Sequence, residues 1–206
     1  MAYVFLFIYY TIMTVVEAID TVYLKAKILL TEGPKVRGFR IRDDVYYRGH
    51  TWISREGGKI RVGVDDFAQR LLGKIHKVKF PPKGYEVKSG NPACIFSCDR
   101  GRAQMITPIP GVIEKTNERL TRDGSSLKRD PYGRGWLFVI KPAEELKGLL
   151  KGEQVREWLQ GEVDRLHTVL ESQLGYTMTD GGKLVRDAHL KLDEDQWSTL
   201  VKSVLS

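Results

Sequence analysis

From Val36 to Pro142 the apolar residues come in short packets, and this constrains the fold more than any other feature. The runs VRGFRI, VYYRGHTWIS, GKIRVGV, KIHKVKF, YEVKSG, ACIFSC, AQMITPIPGVIEKT and GWLFVIKP are rich in Val, Ile, Tyr and Phe, and turn residues separate them. That spacing predicts an all-β sandwich or barrel. One helical stretch interrupts it, Asp65 to Leu72, with acids at its start and Gly73 at its end, where a C-terminal cap belongs. A chain of 206 residues can bury a core without staples, and its two cysteines could not supply a disulfide framework.

The flanks have a different character. Ala2 to Val16 carries no charge, and the 18 residues AYVFLFIYYTIMTVVEAI would extend about 27 Å as a helix, the short end of what spans a bilayer core. The run has neither a basic region before it nor an A-x-A site after it, so it does not read as a signal peptide. Residues 1–32 are therefore expected to form a transmembrane or interfacial helix. Lys25, Lys27, Lys35, Arg37, Arg40 and Arg42 follow it, which places the N-terminus outside and the bulk of the chain on the cytoplasmic side. From Ala143 the pattern turns helical, with Val155, Trp158, Leu159, Val163, Leu166, Val169, Leu170 and Leu174 at helical spacing. Asp180 to Gly182 reads as a turn. DEDQWSTLVKSVL reads as a last amphipathic helix with Asp193 as N-cap. The expected layout is an anchor at 1–32, a β-domain at 33–142 and a helical extension at 143–206.

The charge divides in the same way. The net +7 joins residues 1–142, with 25 basic and 14 acidic residues, to residues 143–206, with 8 and 12. A basic domain behind a membrane helix points to anionic lipid or an acidic partner rather than to nucleic acid. Lys74, Lys77, Lys79, Lys83 and Lys88 form the densest series. Lys77 and Lys79, on the parity of Ile75, are expected to line one side of a strand. Lys25, Lys27, Lys74, Lys77 and Lys79 are the candidate contacts.

Four motifs in order carry a resemblance: GHTWIS, RVGVDDFAQRLLGKI, TPIPGVI and DPYGRGWLFVIKP. Together they resemble the glycine cleavage system H protein over about residues 39 to 150. The resemblance implies a lipoyl-domain-like fold, a flattened β-barrel-sandwich hybrid with short helices. The whole chain then reads as mainly β with α, between a transmembrane helix and a helical extension. The resemblance also implies a lipoyl-bearing lysine on a hairpin, eight residues before the proline of the TPIPG turn. Eight residues before Pro108 stands Arg100, and no lysine lies between Lys88 and Lys115. The hairpin reads Ser97, Cys98, Asp99, Arg100, with Ser97 at the family's glutamate and Asp99 at its valine. A guanidinium stays protonated and cannot form the amide that attaches lipoate. No lipoyl carrier activity and no cofactor are expected.

Other chemistry is sparse. Cys94 and Cys98, four apart on one strand, would have α-carbons about 13 Å apart, beyond disulfide reach. Cys98, near the expected exposed tip and flanked by Arg100 and Arg102, is a candidate redox thiol, with Cys94 a second and partly buried one. His50 reads as a packing or hydrogen-bonding residue, and with His76 it shows no metal-ligand spacing. Phosphate loops, HExxH and GxSxG are absent, so no catalytic residue is assigned. The expectation is a non-catalytic, non-lipoylated accessory subunit of a larger membrane complex, respiratory or otherwise redox-active, whose partners are the other subunits. The alternatives are a carrier using Cys98 and a regulatory module that binds glycine-cleavage-type enzymes.

Overall fold

The computed structural model describes residues 33–88, 90–107, 109–174 and 192–205. The expected anchor, Lys25 and Lys27 lie outside the described residues, as does the turn at Asp180 to Gly182. Among the described residues no helix is long and apolar enough to cross a membrane.

Among the described residues eleven strands form three antiparallel sheets. Strands β1 (Lys35–Val36) and β2 (Phe39–Arg40) make a small hairpin. The large sheet runs in the order β3 (Tyr46–Arg48), β4 (Thr51–Glu56), β5 (Lys59–Val64), β11 (Phe138–Pro142), β10 (Gly111–Thr116), β7 (Glu86–Val87). The third sheet pairs β6 (Ile75–Lys79), β8 (Pro92–Cys98) and β9 (Gly101–Ile106), with β8 central. This is the expected β-rich layered fold. The β4–β5 hairpin turns at Gly57 and Gly58, both at positive φ, as a tight primed turn requires. Cross-strand from Gly63 lies Trp52, whose ring atoms come within 2.3 Å of where a Cβ at Gly63 would sit. The missing side chain is what lets the indole lie flat and donate to the Pro131 carbonyl at 3.1 Å.

Helix α1 (Asp66–Leu72) starts and stops where its local sequence says it should. Asp65 caps it by accepting from the Ala68 N–H at 2.7 Å, and Gly73, at positive φ, donates to the Arg70 carbonyl. Asp66 is fully buried and receives Arg40 Nη2 at 2.7 Å, Arg70 at 2.9 Å and the Arg40 backbone N–H at 2.9 Å. Arg40 also donates to the carbonyls of Lys128 and Arg129 in α2 (Ser125–Arg129), so the Arg40–Asp66 pair ties three elements together.

The helical extension differs from expectation at its start. Helix α3 runs Glu153–Leu174, ten residues later than Ala143. Gly148 and Gly152 both stand at positive φ, which a helix cannot continue through. The intervening segment instead bridges Leu150 to Tyr47 by two backbone bonds of 2.9 Å. Helix α4 (Glu194–Leu205) begins with the expected Asp193 cap. Asp193 accepts from the Gln196 N–H at 2.8 Å while Gln196 accepts from the Asp193 N–H, a reciprocal capping box. Val155, Leu159, Val163, Leu166 and Leu170 of α3, with Trp197, Leu200, Val201, Val204 and Leu205 of α4, join the core of the β-domain.

Candidate functional site

The β8–β9 hairpin turns over two residues, Asp99 and Arg100, between the paired Cys98 and Gly101. Every part of this tip is held. The Asp99 N–H donates to the Lys74 carbonyl at 3.2 Å, and its carboxylate lies 2.5 Å from His76 Nε2. Arg100 Nη1 donates to the Leu192 carbonyl at 2.7 Å, on the chain entering α4. Gly101 stands at φ +134, with the Trp197 ring 3.6 Å from where its Cβ would be. Trp197 is buried and donates its indole N–H to the Leu71 carbonyl at 2.9 Å. Helix α4 therefore lies against β9, anchored to α1 on one side and to the hairpin tip on the other. Nothing local in the sequence joins Trp197 to Gly101, and this cover was not expected.

The cysteines correct the sequence reading. Cys98 is not an exposed tip thiol but is 9% exposed, and burial, reinforced by the Asp99 charge, pushes its thiol up to about 12. The arginines expected to activate it act elsewhere: Arg100 reaches Leu192, and Arg102 is exposed. Cys94, expected to be partly buried, is fully so. Burial raises its thiol as well, and its sulfur lies 4.0 Å from that of Met105. Both are free thiols and protonated at neutral pH. Ser97 is half-buried, paired across the sheet with Lys77 and Arg102. Lys74, Lys77 and Lys79 are exposed, but Ile75 does not share their side. The β6 register shifts between Ile75 and Lys77, so Ile75 and Val78 face the core.

His50 is the buried hydrogen-bonding residue that was expected. It stacks on Phe67 at 4.6 Å and lies 4.9 Å from Trp158 of α3. Its Nδ1 sits 2.8 Å from Asp65, whose other oxygen caps α1, and its Nε2 sits 3.4 Å from Glu162 of α3. Burial opposes its charged form, but Asp65 and Glu162 outweigh burial and hold His50 up to about 9. The hydrogen bond from His50, aided by Arg165, pulls Glu162 down to about 2 against its partial burial. The folded value of His50 lies above its ordinary 6.5, so its stabilisation is complete below pH 6.5 and is lost as pH rises through about 9. Thermal melts are expected to show Tm falling across that window, and His50→Gln is expected to remove the fall. An unchanged slope in the variant would exclude His50 as the source.

The model of the family described as "Glycine cleavage H-protein" matches residues 44–162, more than half of the chain. The chain belongs to the glycine cleavage H-protein family. It is similar to a probable glycine cleavage system H protein of Pyrococcus abyssi, 34% identical over 131 residues, which cover 61% of this chain and 97% of that one. It is also similar to the glycine cleavage system H protein of Bacillus velezensis, 33% identical over 121 residues, with 58% and 95% covered. The crystal structure of a glycine cleavage system H protein from Mycobacterium marinum superposes with a TM-score of 0.52 at 28% identity, covering 58% of this chain and 98% of that one. The H-protein match ends at Glu162, so Leu192 and Trp197, which cover the hairpin, lie beyond it.

The residues of this hairpin do not fit an amide-linked lipoyl group. Where spacing from the TPIPG turn puts the expected carrier position stands Arg100, whose guanidinium is already engaged by the Leu192 carbonyl, and no lysine lies between Lys88 and Lys115.

Proposed function

We propose that this chain is a non-catalytic, non-lipoylated member of the H-protein family that serves as an accessory subunit of a larger membrane complex. One observation carries the reading. Arg100, which spacing from the TPIPG turn puts where the family's carrier lysine is expected, donates to the Leu192 carbonyl and so helps hold a C-terminal segment over the hairpin. A swinging arm needs a free tip; here Asp99, Arg100 and Gly101 are each tied to or packed by another element. A protein that keeps the fold while closing its mobile site is suited to holding other proteins in place. The charge-free run Ala2 to Val16 supports anchorage by one N-terminal helix, with the basic flank after it on the cytoplasmic side. Lys25, Lys27, Lys74, Lys77 and Lys79 are the contacts this reading assigns to anionic lipid or acidic neighbours. A carrier role for Cys98 finds little support, because its thiol is buried and protonated.

Native isolation tests the reading. After mild detergent extraction the chain is expected in the membrane fraction, co-purifying with a fixed set of subunits. A stable free monomer would contradict it. Recovery in the supernatant together with glycine-cleavage-type enzymes would favour a regulatory module instead.

A further inference from the structure

On the outer face of the large sheet, away from the hairpin, lies an open groove of about 1100 Å³. Its floor is a row across three strands: Arg61 of β5 pairs with Val139 of β11, which pairs with Lys115 of β10. The Trp136 indole sits on this row with the Arg61 guanidinium and the Lys115 ammonium each 5.7 Å from its ring centroid. The backbone that carries the indole is held from behind. Asn117, itself buried, donates its amide to the Trp136 carbonyl at 2.7 Å and the Arg134 carbonyl at 2.9 Å. The next residue, Leu137, donates to the Val62 carbonyl at 2.7 Å. The indole therefore projects from a backbone segment fixed on both sides of its Cα.

The groove is unbalanced in charge. Lys59, Arg61, Lys83, Lys115, Arg119 and Arg134 line it against only three acids, Glu56, Glu114 and Glu118. Two of the acids are spent on neighbours: Glu114 accepts from Lys59 at 2.6 Å, and Glu56 from Arg61 at 2.9 Å. Lys83, Lys115 and Arg119 make no ion pair among the described residues, and all three are exposed. The Nε–H of Arg61 is buried beside the indole and has no acceptor, a state that costs free energy unless something supplies one.

We propose that this groove is the docking site for an acidic segment of a partner polypeptide, which lays carboxylates on Lys83, Lys115 and Arg119 and apolar atoms on Trp136 and Val139. The proposal rests on the accessory-subunit reading for its choice of a polypeptide. The layout favours that occupant over a phosphate group. The free cations are spread along the groove instead of converging on one point, glutamates are interleaved among them, and an apolar strip runs between. Carboxylates dispersed along an extended chain match such a surface, whereas the closely spaced charges of a nucleic-acid backbone would meet the glutamates.

The test is a fluorescence-anisotropy titration of the full chain with a fluorescein-labelled peptide of alternating Glu and Leu. Saturable binding is expected that weakens steeply with added salt. The double variant K115E/R119E is expected to weaken binding about tenfold or more, with its melting curve unchanged because both residues are exposed. The variant K147E/K202E, at two exposed lysines outside the groove, is expected to bind as the parent does. Three results would overturn the proposal: no saturable binding, equal loss in both double variants, or displacement by inorganic phosphate or phosphatidylglycerol vesicles at lower concentration than by unlabelled peptide. Intact mass on the same samples reads the carrier question separately. A peptide that fails to bind an unmodified chain removes the groove and leaves the accessory reading standing.

Discussion

Trp197→Ala is expected to destabilise the fold by about 3–5 kcal/mol and to release α4 from the hairpin. Trp197 is among the largest fully buried side chains, and its indole N–H satisfies the Leu71 carbonyl, which α1 leaves unpaired near its C-terminal end. Truncation opens a cavity between α4, β9 and α1 and strands that carbonyl. Urea unfolding measures the first effect. Hydrogen exchange measures the second: amides of 194–205 and of 98–102 should lose protection together, because Arg100 and Gly101 meet the same segment. Loss of protection in α4 with the hairpin unchanged would mean that the segment does not cover the tip in solution.

Asp66→Ala is expected to cost about 3–5 kcal/mol, because it leaves two cations without their buried partner. The carboxylate is wholly buried, while the Arg40 and Arg70 side chains are only 20% and 24% exposed. Gln69 Nε2, at 3.0 Å, loses an acceptor as well. The effect should appear in urea unfolding and be reduced in the double variant Asp66→Ala, Arg40→Met, which removes one of the two uncompensated charges. If the double variant is no more stable than the single, packing rather than charge pairing explains the loss.

What could be read from the sequence was what is local. The short helix with its opening acids and Gly73 cap, and the Asp193 cap, rest on neighbours within four residues and came out close to expectation, the helix starting at Asp66 with Asp65 as its cap. Arg100 does stand at the tip of a hairpin, because spacing from the TPIPG turn locates a residue there without any knowledge of what packs on it. The errors are equally physical. Ile75 was placed with the lysines by strict alternation, and a register shift at His76 breaks it. Cys98 was given an activated thiol from its sequence neighbours, but in a hairpin those side chains find other partners. Glu162 against His50, Trp197 against Gly101 and Trp136 over Arg61 and Lys115 all join distant parts of the chain. No periodicity or motif in one sequence reports them.

The central claim is that the hairpin no longer carries a group, and the intact mass of the native protein tests it most directly. The protein should be isolated from cells that actively attach lipoate and weighed under non-reducing conditions. The expected result is the unmodified mass of the 206-residue chain. A mass increased by one lipoyl group, mapped by fragmentation to the hairpin between Ser97 and Arg102, would contradict it.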